Sequence, residues 1–248
     1  FGFAATNRLT RSVYTVYDYW GGTGYVQGKW YVQKDMLLKL GYNLDWRSYQ
    51  NLDVSRYVDH NLFLQVSKFL PSRTTLQVDA QFGYKLREAA ESQVVLGLQV
   101  AQSLTPNTGL SLRYQARMNT ASQEDLLSVI LRSLTDEDIL NSRYDYGGHR
   151  FSSKLTQQLP AQTRLLVEGG YEVRTYTDEF ALDFEGDLLS GIEKRKDRFS
   201  FLDVDFELPL TQKWTTSLGY GFTHMQSNDL YYNYGNRHSI SVHLDVGF

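Results

Sequence analysis

The sequence predicts an all-β protein, a transmembrane antiparallel up-and-down β-barrel of about 12 strands. Three observations predict it. Period-two alternation of apolar and polar residues recurs along the chain, which is the pattern of a strand with two different faces. The alternating segments run to roughly 9–15 residues, about enough to cross a bilayer when tilted, against the ~5–6 residues of an ordinary strand. The connections between them switch between short and long. No stretch approaches the ~18–20 apolar residues of a transmembrane helix. Low mean hydropathy fits this fold, because a barrel strand averages a lipid-facing and a lumen-facing set.

Composition narrows the classes. The chain has 248 residues, no cysteine and a net charge of −3. That length suits residues 1–248 as one barrel domain. Zero cysteine excludes a disulfide framework and any Cys-ligated metal or redox centre. Without a basic field, nucleic acid is not expected as a partner. The set of 18 Tyr, 13 Phe and 4 Trp suits aromatic girdles at two membrane interfaces. No signal peptide is visible at Phe1, so a cleaved or omitted leader is expected.

Taken in order, the strand-like segments lie near residues 8–20, 24–33, 35–49, 57–70, 74–86, 92–104, 109–119, 145–159, 163–176, 197–209, 213–226 and 237–248. Residues 1–7 carry little signal. The third segment is clear: Met36, Leu38, Leu40, Tyr42, Leu44 and Trp46 oppose Lys39, Gly41, Asn43, Asp45 and Arg47. The fifth sets Leu76, Val78, Ala80, Phe82 and Tyr84 against Gln77, Asp79, Gln81, Gly83 and Lys85. The first is weakest, because Val13 to Tyr17 supports either facing. Short turns fall near residues 33–34, 71–72, 105–107, 160–161 and 211–212, and the four prolines lie at or beside them. Proline cannot donate to a ladder and belongs at strand ends. Longer loops are expected at 87–91, 120–144, 177–196 and 227–236. A soluble sandwich can carry the same alternation, but its strands are shorter, and a small soluble barrel fills its interior with apolar side chains.

With the apolar face toward lipid, the opposite parity lines the lumen. That set is Lys39, Asp45, Arg47, Arg113, Arg117, Arg150, Lys154, Arg164, Glu168, Glu172, Arg174, Asp203, Asp205, Glu207 and Asp245. Strands seven and eight are basic, ten and twelve acidic, and nine is mixed. Such a field across a water-filled pore orders polar solutes. Alternatively, the charges pair with one another and fill the interior.

The long loops carry two further expectations. Between residues 120 and 144, Ser122 and Asp125 resemble a capping box, and Leu126, Leu127, Ile130, Leu131 and Leu134 follow at helical spacing. A short amphipathic helix is expected there. The 177–196 loop is acidic (Asp178, Glu179, Asp183, Glu185, Asp187) and then basic (Lys194, Arg195, Lys196). Its carboxylates could share a divalent cation with lipopolysaccharide, though their spacing matches no known calcium loop. No cofactor and no resident metal are expected. An enzyme is not expected either: barrel phospholipases set a catalytic His and Ser two residues apart on one strand face, and no histidine here precedes a serine at i+2. His149 near Asp145 and His224 near Asp229 are the only hints of a rim protease.

The last strand reads Arg-His-Ser-Ile-Ser-Val-His-Leu-Asp-Val-Gly-Phe, with Ile240, Val242, Leu244, Val246 and Phe248 on one face. It resembles the Phe-ended closing strand of Gram-negative outer-membrane β-barrels. The resemblance implies that these five residues are read by the barrel assembly machinery. It also implies a bacterial outer-membrane location with both termini periplasmic, and outer-membrane lipids and lipopolysaccharide as partners. Residues 194–248 include Leu208-Pro209-Leu210-Thr211, Leu218-Gly219-Tyr220 and Tyr232-Asn233-Tyr234-Gly235-Asn236. This segment looks like the end of barrel domains in surface-lipoprotein assembly modulators and exopolysaccharide exporters. It implies a channel or export barrel for a polar solute or polymer. The alternative is a non-conducting barrel that docks a periplasmic or surface partner through its loops.

Overall fold

The computed structural model describes residues 1–8, 19–49, 56–86, 90–120, 146–185, 187–189, 193–211, 213–231, 233 and 235–246. Among the described residues, twelve strands form one sheet in sequence order. They are β1 (Gly2–Arg8), β2 (Tyr19–Gln33), β3 (Met36–Tyr49), β4 (Tyr57–Phe69), β5 (Thr74–Leu86), β6 (Ala90–Thr105), β7 (Thr108–Thr120), β8 (Tyr146–Gln158), β9 (Arg164–Phe180), β10 (Lys194–Pro209), β11 (Trp214–Ser227) and β12 (Gly235–Val246). Each pairs antiparallel with its neighbours in sequence. The fold is the expected all-β, up-and-down barrel topology.

Two bounds are corrected: a strand lies at Gly2–Arg8, where little signal was expected, and the second begins at Tyr19 rather than residue 24, while most of the expected first segment, 8–20, lies outside the described residues. Gly21, Gly22, Gly24 and Gly28 dilute the alternation of β2. Its register against β3, from Tyr19↔Tyr49 to Lys29↔Lys39, shows that it starts earlier. The 177–196 loop is also shorter than expected, since β9 runs to Phe180 and β10 starts at Lys194. The helix expected within 120–144 lies outside the described residues, as does Phe248.

Short turns close one end of the sheet and longer connections the other. Tight geometry at the short end puts Arg73 (φ 61°) and Ala161 (φ 57°) in the left-handed region. There the Lys68 ammonium sits 2.6 Å from the Asp35 carboxylate, and that hydrogen bond holds the Asp35 carboxyl below its usual range. A depressed carboxyl stabilises above its unfolded pKa, and the contribution fades as pH falls through the folded one.

The two faces differ in kind. Leu40, Leu62, Leu64, Val78, Leu96, Leu98, Leu112, Phe151, Leu202 and Leu218 share the outer parity and all remain exposed. An apolar surface of that extent is foreign to a soluble monomer, and lipid is the solvent that suits it. All four tryptophans lie on this face close to strand ends: Trp20 and Trp30 on β2, Trp46 on β3 and Trp214 on β11. That is an interfacial girdle. Small residues let large ones lie flat, as where the Phe63 ring covers the place a Cβ of Gly41 would take.

Candidate functional site

The inner face is built in rows. Strand register places one residue from each strand side by side, so a row reads across the sheet. The row Lys154, Glu168, Asp203, Gly221 and Ser239 runs from β8 to β12. The next toward the short turns is Thr156, Leu166, Asp205, Gly219 and Ser241. Arg150, Glu172, Phe199 and Met225 form a row nearer the long loops. All fifteen residues of the sequence-derived lumen set occupy this one face.

Many of those charges find partners. Arg174 Nε lies 2.8 Å from Glu172 Oε1. Arg150 stands between Glu168 at 3.9 Å and Glu172 at 3.8 Å. Arg164 joins Glu207 at 2.5 Å near the short-turn end. Arg113 Nη2 reaches both oxygens of Asp79 at 3.1 Å. That contact crosses β6 over Gly97, where a Cβ would collide with the Asp79 carboxylate. The glycine is the gap that lets β5 and β7 join. Basic and acidic strands are thus tied together by their side chains.

Aromatic rings carry the guanidinium groups. Arg150 stacks over Phe201 at 4.4 Å, and Arg174 lies over Phe199 at 4.2 Å and Tyr146 at 4.4 Å. Arg117 covers Tyr146 at 4.5 Å, and Arg47 sits 5.0 Å from the Tyr19 centroid. Such contacts are worth about 0.5–2 kcal/mol each and hold long side chains against the wall. The sequence reading missed this role for Tyr146, Phe199 and Phe201. Their signal was present, since each has the inner parity of its strand.

Asp203 and Asp205 differ. No ion pair joins either one among the described residues, and both are exposed on the inner face. A Cβ on Gly221 would lie 3.1 Å from Asp203 Oδ1 and 2.6 Å from Ser239 Oγ. A Cβ on Gly219 would lie 2.9 Å from Asp205 Oδ1 and 2.5 Å from Ser241 Oγ. The two glycines therefore open the space these carboxylates and hydroxyls share. A cavity of about 250 Å³ sits there, with Lys154 and Glu168 on its far side. A second, of about 340 Å³, lies above it between Arg150, Arg174 and Arg237.

The long-loop end is locked by a buried ionic cluster. Asp197 is 0% exposed, Asp229 1% and Arg195 3%. Arg195 donates from Nη2 to Asp197 at 2.8 Å and from Nη1 to Glu179 at 2.8 Å. The Ser227 hydroxyl donates to Asp197 at 2.6 Å, and Asp229 accepts from the Leu182 backbone N–H at 3.3 Å. Two connections are so tied together. This corrects the rim-protease hint at His224: Asp229 is spent on this lock, while His224 lies on the outer face against Asn236 at 2.7 Å. His149 likewise faces outward, 2.9 Å from the Tyr114 hydroxyl, and Asp145 lies outside the described residues. Asp183, Glu185 and Asp187 bring one oxygen each within 4.8 Å. Asp183 Oδ1 already accepts the backbone N–H groups of Glu185 and Asp187.

No protein-family model and no curated protein matches this sequence. Among solved structures, the chain is similar to the siderophore receptor PirA from Pseudomonas aeruginosa, at 11% identity and a TM-score of 0.50. The match covers 99% of this chain and 41% of the receptor, so the chain spans about two fifths of the receptor's length. A NanC porin structure aligns at 9% identity and a TM-score of 0.48, over 99% of this chain and 98% of that one. At these identities the likeness concerns the fold. Together with the strand order, it gives this chain the antiparallel up-and-down β-barrel fold.

Proposed function

We propose that the chain is a barrel of the bacterial outer membrane whose charged lumen passes a polar solute or polymer. In this reading the short turns and both termini are periplasmic, and the long connections face the cell exterior. Ile240, Val242, Leu244, Val246 and Phe248 are the signal for the barrel assembly machinery. The observation that carries the reading is the segregation of charge. Rows of ionised residues line the inner face, and leucine, valine and aromatic residues cover the outer one. Asp203 and Asp205 present their carboxylates to the interior, where a pore lining tunes selectivity.

Single-channel recording in a planar bilayer tests this. The parent protein is expected to conduct with a cation preference. Asp203→Asn with Asp205→Asn is expected to lower that preference several-fold and leave folding intact. A parent that inserts but carries no current overturns the conducting reading. One observation favours a docking barrel in that case: Phe184, Leu188 and Tyr231 are exposed apolar residues at the long-loop end.

A further inference from the structure

The outer face of β8 to β12 has an uneven charge distribution. Toward the short turns it is apolar, with Leu202, Val204, Phe206 and Leu208 on β10 and Leu218, Val242 and Leu244 beside them. Toward the long loops β10 turns basic. Arg198 lies between Val173 and Gln226, and Lys196 lies opposite Thr175, both on the outer parity. Besides Lys194, whose ammonium sits over the Phe180 ring at 4.3 Å, Lys196 and Arg198 are the only fixed charges among the described residues at the paired positions of this face, and no carboxylate shares it. Neither cation has an ion pair among the described residues. The inner arginines differ: Arg113, Arg150, Arg164, Arg174 and Arg195 all meet carboxylates. The one described outer cation at the opposite end of the sheet, Lys68, meets Asp35.

Three histidines flank the two cations at the same end. His149 stands one strand beyond Val173, His224 opposite Ser200, and His238 opposite Phe222. In each, Nδ1 is already engaged: His149 by the Tyr114 hydroxyl at 2.9 Å, His224 by Asn236 Oδ1 at 2.7 Å, His238 by the Tyr220 hydroxyl at 2.9 Å. Nε2 is the nitrogen left for a further partner. When tyrosine donates to Nδ1, Nε2 carries the proton and is a donor.

A cation on the lipid face is costly at mid-bilayer and nearly free at the interface. Lys196 and Arg198 therefore mark headgroup level. An unpaired Lys and Arg two residues apart, ~7 Å along a strand, with the His149 Nε2 donor one strand beyond Val173, suit phosphate oxygens. Charge-assisted hydrogen bonds to phosphate are the strong kind. We propose that the outer surface around Lys196 and Arg198 binds the phosphate groups of a phosphorylated outer-leaflet glycolipid, the lipid A portion of lipopolysaccharide. The site rests on the outer-membrane placement proposed above and not on conduction.

Native mass spectrometry of the intact chain in detergent micelles tests it. Diphosphorylated lipid A, a phosphate-free analogue and phosphatidylglycerol are titrated in turn. Lipid A is expected to bind the parent at least tenfold more tightly than either of the others. Lys196→Gln with Arg198→Gln is expected to remove that preference, and Arg198→Lys to keep most of it. Lys68→Gln is expected to change nothing. Heat-modifiable gel mobility confirms that each variant is folded. Equal binding by the parent and the double glutamine variant overturns the site. Equal binding of phosphatidylglycerol and lipid A by the parent overturns the glycolipid assignment. Currents recorded from the same samples separate the two ideas: lipid discrimination without current fails the channel alone, and current without discrimination fails the lipid site alone.

Discussion

Asp197→Ala is expected to destabilise the barrel by about 3–5 kcal/mol, the usual cost of breaking a buried ion pair by removing one partner. Asp197 is fully buried. It accepts from Arg195 Nε at 3.2 Å, Arg195 Nη2 at 2.8 Å and the Ser227 hydroxyl at 2.6 Å. Without it, the buried Arg195 loses a bidentate carboxylate, in a site too dry to solvate a guanidinium, although Glu179 and the Tyr176 ring remain. The Ser227 hydroxyl also loses its acceptor, although it still receives the Asp229 backbone N–H at 3.0 Å. Asp197→Asn keeps one acceptor and is expected to cost roughly half as much. Guanidinium-induced unfolding in micelles reads both. A loss below about 0.5 kcal/mol for the alanine variant contradicts the lock.

Leu98→Arg is expected to cost about 2–4 kcal/mol, the penalty for arginine on the lipid face near mid-bilayer. Leu98 lies in the middle of β6 (Ala90–Thr105), opposite Val78 and Tyr114, and is half exposed. Gln81→Arg, on the inner face of neighbouring β5, is the matched control. It gives up the hydrogen bond to Asn61 at 3.1 Å but stays among polar groups. Its expected cost is under about 1 kcal/mol, since lumen substitutions act on selectivity more than stability. Urea titration of folding into lipid vesicles measures the two. Equal costs, or the reverse order, contradict the assigned faces.

Much of this architecture was legible because a barrel strand writes both faces into a period of two. Leu38 to Trp46 against Lys39 to Arg47 needed no partner strand to be read. Which residues share the polar face was legible for the same reason. What the sequence hid was anything set by register. Nothing local says that Arg113 reaches Asp79 on β5 through Gly97 of β6, or that Asp229 meets the backbone of Leu182. The glycines of β2 hid its start, because a residue without a side chain writes no facing. The end of β10 was misread for a different reason. Lys194-Arg195-Lys196-Asp197-Arg198 looks like a solvated charge run, yet the strand continues through it. The run then divides by parity, with Arg195 and Asp197 buried within and Lys196 and Arg198 turned outward.

The most direct test of the account uses the absence of cysteine from the sequence. Single cysteines at Leu202, Asp203, Val204 and Asp205, in protein reconstituted into vesicles, are challenged with a charged, membrane-impermeant thiol reagent. Asp203→Cys and Asp205→Cys are expected to react, while Leu202→Cys and Val204→Cys react only after the bilayer is dissolved. Labelling at 202 and 204 with protection at 203 and 205, or uniform labelling of all four, contradicts a bilayer-spanning barrel with an aqueous, charged interior.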